Sequence, residues 1–240
     1  MMRHPNIIAA GMAALIAGSA LLAPARAEAF SLGNILGGII LKEIFTDRHT
    51  MEERQEDMLR QLGKSSLLLN SSILDIMEAL QLDPKLLASR RLIYENLKKD
   101  SLNIDNVRAS VREPLPMAEM QSAAHRTLVA GNEAKIARIN ESVKSAKKKR
   151  AMSQKAMLLA GKDAFFIMQH VARGDMGEDG DMQDLFDFYD VAREANGLIK
   201  EQDAQVKELD KALAEYEKSQ DIKPPSDKEA EKEMEGWTPE

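Results

Sequence analysis

The sequence predicts an all-α protein: a long antiparallel coiled-coil helical hairpin packed with a smaller N-terminal helical region. Three observations predict it. Aromatic residues make up 4% of the chain and charged residues 30%, with abundant Ala, Leu, Lys and Glu, the composition of long helices rather than sheets. Apolar residues recur at steps of three and four over several long stretches, and the alternating Val, Ile, Thr and Tyr runs that mark strands are absent. Cys is absent, so packing alone must hold the chain together, without disulfides or thiolate chemistry.

Residues 1–27, MMRHPNIIAAGMAALIAGSALLAPARA, read as a secretory signal peptide. A basic start at Arg3 and His4 precedes an apolar run from Ile7 to Ala23 and the small-x-small triplet Ala25-Arg26-Ala27. The competing reading is a retained anchor, for which the apolar run is slightly short. No Cys follows the run, which excludes a lipoprotein, and there is no twin-Arg pair. Cleavage is expected after Ala27, with Ala29 as second choice, so the mature chain is expected to be exported, periplasmic or secreted. Cleavage after Ala27 leaves 213 of the 240 residues, enough for one good core or two small ones. It removes Arg3 and Arg26, leaving 31 basic against 39 acidic side chains, a net charge of −8. An acidic exported chain is a poor candidate for nucleic-acid binding.

Residues 28–49 form the first mature element, an apolar N-terminal helix built on FSLGNILGGIILKEIF (30–45). Leu32, Ile35, Leu36, Ile39, Ile40, Ile44 and Phe45 share one helical face, with Asn34, Gly38 and Lys42 on the other. Residues 50–116 are a helical region with a Pro-marked connector. Thr50 and Glu53 form a capping box that opens a helix. Leu59, Leu62, Ser66, Leu69, Ile73, Ile76 and Leu80 then trace a coiled-coil-like seam. Asp83 and Pro84 end that helix and start a short one, as N-cap and first helical residue, carrying Leu86, Leu87, Leu92, Ile93 and Leu97. From Lys98 to Pro116 the periodicity dissolves, and Pro114 and Pro116 bracket a hinge or connector.

Residues 117–218 are expected to be the hairpin. One helix runs from Met117 to about Arg173, roughly 55 residues and about 80 Å long. Its seam is Ile136, Ile139, Val143, Ala146, Arg150, Ser153, Met157, Ala160, Ala164, Ile167 and Val171. The loop GDMGEDG (174–180) stops it. The return helix, from Asp181 to about Ser219, carries Leu185, Phe188, Ala192, Ala195, Ile199, Gln202, Val206, Leu209, Leu213 and Tyr216. Residues 219–240, with adjacent prolines and heavy charge, read as a disordered acidic tail.

Candidate functional residues fall in two groups. Leu32, Ile35, Leu36, Ile39 and Ile40 are candidates for docking onto a partner, onto another copy of the chain or onto a membrane surface. Gly33 and Gly37 allow close helix contact, and the segment's length suits a core helix, an interfacial helix or an assembly element alike. The second group is Lys147, Lys148, Lys149 and Arg150, within KSAKKKRAMSQK (144–155), a candidate site for a polyanion or protein partner. Hairpin geometry supplies the alternative. Folding about residue 177 places Arg150 opposite about position 204, near Glu201, Asp203, Glu208 and Asp210, so the run would set the hairpin register.

Metal and cofactor chemistry find little footing. The acids Asp175, Glu178, Asp179, Asp181, Asp184, Asp187 and Asp190 fail the EF-hand template, because Gly177 occupies position 3 and Phe186 position 12. They are expected to complement a helix N-terminus instead. His49, His125 and His170 lack ligand spacing, and Met117 and Met120 are the one suggestive mature methionine pair, read as core filler. GxSxG, GxxxxGK[ST] and GxGxxG motifs are absent. The expectation is therefore no metal, no cofactor and no catalysis. It is an exported structural or interaction protein of the bacterial envelope, with a membrane-active, pore-forming-like protein or a periplasmic holdase chaperone as alternatives. The order of signal peptide, short apolar start, helix, Pro-marked connector and long hairpin is similar in layout to minor pilins of type IV secretion systems, without a shared motif.

Overall fold

The computed structural model describes residues 50–173 and 182–220, all within the unit Ile40–Glu240. Residues 1–49, 174–181 and 221–240, on which the expected signal peptide, apolar N-terminal helix, loop and most of the tail fall, lie outside the described residues. Among the described residues there are six α-helices and no strand. They are α1 (Met51–Ala79), α2 (Pro84–Lys99), α3 (Ile104–Arg112), α4 (Met117–Ala130), α5 (Glu133–Arg173) and α6 (Met182–Gln220). The all-α class predicted from composition and periodicity is the class observed.

The capping box opens α1: the Glu53 amide donates to Thr50 Oγ1 at 3.2 Å, and the Thr50 amide to Glu53 Oε2 at 2.9 Å. The helix closes in a Schellman motif, with Gln81 N–H donating to Glu78 O (3.1 Å) and Leu82 N–H to Met77 O (3.1 Å). The left-handed residue of that motif is usually glycine, but here it is Gln81, at φ +55°. Asp83 then caps α2 by accepting from the Lys85 amide at 2.7 Å, and Pro84 stands at the helix start, as expected.

Two corrections follow. Residues 98–116 are not an open hinge but contain α3, capped by Asn103, which accepts from the Asp105 amide at 2.9 Å. Val107, Ser110 and Val111 are its buried residues. The carbonyls at its far end are held by side chains from other helices. Gln205 of α6 donates to Val111 O (2.7 Å) and Glu113 O (3.0 Å), and Arg90 of α2 donates to Pro114 O (2.8 Å). Nor are residues 117–173 one helix. Gly131 adopts φ +62° as the left-handed C-cap of α4, and Asn132 Oδ1 accepts from the Lys135 amide at 3.0 Å to begin α5.

The long helices pack directly on the N-terminal helical region. Helix α1 is the central element, and α5 packs more extensively on α1 than on α6. Residues 65–74 of α1 are buried around the whole circumference, because α2, α3, α5 and α6 all contact this helix. Between α5 and α6, Asn140 meets Tyr216, Lys147 meets Glu217, Arg150 meets Asp210, and Gly161 lies beside Ile199. From Lys147 to Gly161 on α5 the partner positions on α6 fall from 217 to 199, the trend of antiparallel neighbours. The predicted seams are buried. Ile139, Val143, Ala146, Ser153, Met157, Ala160, Ala164 and Ile167 line α5, and Ala192, Ala195, Ile199, Gln202, Val206, Leu209 and Leu213 line α6. Ile136, Arg150, Val171, Phe188 and Tyr216 are half-buried.

Candidate functional site

The basic run lies on α5 where that helix faces both α1 and α6, and its cations are engaged. Lys149 Nζ is 2.7 Å from Asp75 Oδ2 and 2.8 Å from Ser71 Oγ, both on α1. Lys147 pairs with Glu217 of α6, the two side chains being 13% and 6% exposed. Arg150 Nε lies 2.8 Å from Asp210 Oδ1 as an ion pair without hydrogen-bond alignment, and Arg150 NH1 donates to Gln154 Oε1 at 2.8 Å. Lys148 also has a polar partner. Ser145 adds a 2.9 Å hydroxyl bond to the same Asp75 carboxylate.

This ladder carries the register, as the hairpin argument anticipates, but with a different set of acids. Of the four acids expected opposite Arg150, only Asp210 meets it. Glu201 lies 3.8 Å from Arg112, and Asp203 pairs with Lys207 on its own helix. Two partners come from elsewhere: Asp75 belongs to α1, and Glu217 lies near the end of α6. Glu217 Oε1 is buried without a hydrogen bond among the described residues, so its carboxylate is held through the Lys147 contact on the other oxygen.

Beside the ladder sits a buried polar layer joining α1, α5 and α6. Ser65 Oγ donates to Ser153 O (2.8 Å) while Ser153 Oγ donates to Ser65 O (2.9 Å), a reciprocal pair that only small side chains permit at such close approach. Gln202 Nε2 donates to Ser65 Oγ at 2.8 Å, and Ser66 Oγ donates to Gln202 Oε1 at 3.3 Å. All four residues are buried. A second buried set centres on Arg90, which is 2% exposed. It donates to Asn70 Oδ1 at 3.0 Å, and Asn70 in turn reaches Ser110 Oγ and Ser66 O. Burial lowers the Arg90 pKa from its usual value, opposed by the nearby Glu113 carboxylate. Burial also pushes the Tyr216 phenol up to about 12, with its hydroxyl 2.8 Å from Asn140 Oδ1.

In chemical terms this arrangement fixes helices. The partners of Ser65 and Ser153 are carbonyls, each other and an amide, none of which activates a hydroxyl as a nucleophile. Elsewhere, His170 stacks on Phe166 at 4.4 Å, and the Arg54 guanidinium lies 3.5 Å over the same ring. Arg54 also reaches Asp163 at 3.3 Å. Met120 is buried and Met117 half-buried, as packing residues. No group of three potential metal ligands occurs among the described residues, and none of their helices is long and apolar enough to cross a membrane. Leu32, Ile35, Leu36, Ile39 and Ile40 lie outside the described residues, as do His49 and most of the 175–190 acids.

Sequence reasoning places Ser66, Ser153 and Gln202 on three seams without joining them. The available signal is that each interrupts an otherwise apolar seam with a hydrogen-bonding side chain. Arg90 and Asn70 carry no such periodic mark. No protein-family model, curated protein or solved structure matches this chain.

Proposed function

We propose that this chain is an exported, non-enzymatic helical interaction protein of the bacterial cell envelope, serving as an accessory component of a secretion or surface apparatus. The observation that supports this reading is the use made of its reactive side chains. The hydroxyls, amide and cations at the centre of the bundle are bonded to one another across α1, α5 and α6. Such a network holds three helices in one stagger and presents long charged outer faces, α5 and α6 each being about 60 Å long. A rigid rod of that kind suits gripping a partner or a second copy. In this reading Leu32, Ile35, Leu36, Ile39 and Ile40 dock the protein, and the basic run serves the fold first.

The test is light-scattering mass on protein beginning at Glu28, beside a version lacking residues 30–45. An oligomer that becomes a folded monomer on truncation supports an assembly element. Two monomers, of which only the longer floats with liposomes, would favour membrane action instead. Unfolding of the truncated form would assign the segment to the core and remove it as a docking site.

A further inference from the structure

A cleft of about 360 Å³ opens where the end of α1 meets the α4–α5 corner. It is lined by Leu80, Gln81, Arg126, Thr127, Asn132 and Lys135, among others. We infer that this cleft is a binding site for a small multivalent oxyanion, a phosphorylated or polycarboxylated metabolite-sized molecule. The inference is independent of the scaffold role proposed above.

Three observations carry it. The volume lies within the range of small-ligand sites. Two cations, Arg126 and Lys135, line the cleft, and no carboxylate does. Among the described residues, the cations Lys147, Lys149 and Arg150 further along α5 are held in ion pairs, unlike these two. Arg126 makes only a 2.6 Å bond to Ser122 Oγ, which leaves its remaining donors available for a fork-like contact with an oxyanion. The third observation is Gln81. It holds the left-handed position of the α1 Schellman motif at φ +55°, where glycine is free of strain. Nothing in the capping geometry asks for an amide there, but the cleft does: a Gln side chain at its rim can donate to the same anion. A non-glycine residue held at positive φ beside a polar cleft points to a role for its side chain there. Thr127 Oγ1 is turned away, donating to Ala123 O at 2.9 Å, so the polar contacts fall to Gln81, Arg126, Asn132 and Lys135.

The experiment is calorimetric titration of the intact chain with sodium pyrophosphate and, separately, with citrate at low ionic strength. One site per chain with a dissociation constant of about 1 mM or below is expected for at least one of them. Pyrophosphate alone would specify a phosphorylated ligand, citrate alone a polycarboxylate. The double variant Arg126→Gln/Lys135→Gln should weaken binding at least tenfold, while Lys64→Gln, an exposed cation on α1, should leave it unchanged. Gln81→Gly separates the roles: it should raise the melting temperature by relieving the backbone and yet weaken binding several-fold. The inference is overturned if neither anion gives a saturable heat up to 10-fold above that concentration. It is equally overturned if Lys64→Gln loses as much as the double variant, or if Gln81→Gly and the double variant both bind like the wild type.

Discussion

At Gly63 a methyl group has nowhere to go. A Cβ built there would stand 2.0 Å from the Ser101 carbonyl oxygen and 2.9 Å from its carbon. The close approach of the α2–α3 link to α1 thus depends on a bare backbone. Gly63→Ala gains up to about 1 kcal/mol of helix propensity. It also forces a backbone shift in a packed core, an overpacking penalty of about 1–3 kcal/mol or more. We expect a net loss of about 2 kcal/mol, read as a lower urea midpoint with an unchanged slope. Tyr216 makes a second prediction at this scale. Its phenol is raised from 10.0 to about 12 by burial, so the folded state binds the proton more tightly than the unfolded chain does. The stabilisation is complete below pH 10 and is lost as pH rises from 10 towards 12. Tyr216→Phe should flatten the stability curve over that window relative to wild type. Parallel curves for the two proteins would show that the phenol keeps its ordinary proton affinity.

Between elements, the Ser65–Ser153–Gln202 layer decides how three helices stagger. Gln202→Ala removes the donor to Ser65, strands the Ser66 hydroxyl and opens a void. Unsatisfied buried groups cost about 1–3 kcal/mol and voids add to that. A loss of about 3 kcal/mol is expected in chemical denaturation. Gln202→Leu keeps the volume and should lose about half as much. Adding Ser66→Ala to Gln202→Leu should recover part of it, because the orphaned hydroxyl goes too. Much at this scale was legible in advance. The Thr50–Glu53 box, the Asp83-Pro84 start and the α5 and α6 seams each rest on local rules of capping and periodicity. What escaped prediction rests on contacts between distant segments. Helix α3 has nine residues and two buried valines, too few for a periodic signal, and it is held by Gln205 and Arg90 from other helices. The α4–α5 break was written locally, as the left-handed Gly131 followed by the capping Asn132, although the sequence reading ran one helix through it. For the ladder, the expectation of acids beside the basic run was sound, but Asp75 sits about seventy residues away on α1, where no hairpin counting reaches.

Across the whole molecule, the ladder on α5 joins that helix to both α1 and α6, and its most enclosed rung is Lys147–Glu217. A surface pair contributes about 0–1 kcal/mol. These side chains are 13% and 6% exposed, and the second carboxylate oxygen has no hydrogen bond among the described residues. The pair therefore belongs with buried ion pairs, for which losing one partner costs about 3–5 kcal/mol while replacing both with apolar side chains is often neutral. Lys147→Met should destabilise the bundle by about 3 kcal/mol by leaving Glu217 buried beside no cation. Lys147→Met/Glu217→Met should return most of that. The coupling from the double-mutant cycle should exceed about 2 kcal/mol. Hydrogen exchange in Lys147→Met should accelerate first near the C-terminal end of α6, where Leu213 and Tyr216 lose their anchored neighbour, before it does so around Ser65. A coupling under about 1 kcal/mol would place the pair among screened surface contacts. The polar layer and the apolar seams would then hold the register alone, and the basic run on α5 would be available to a partner without opening the bundle.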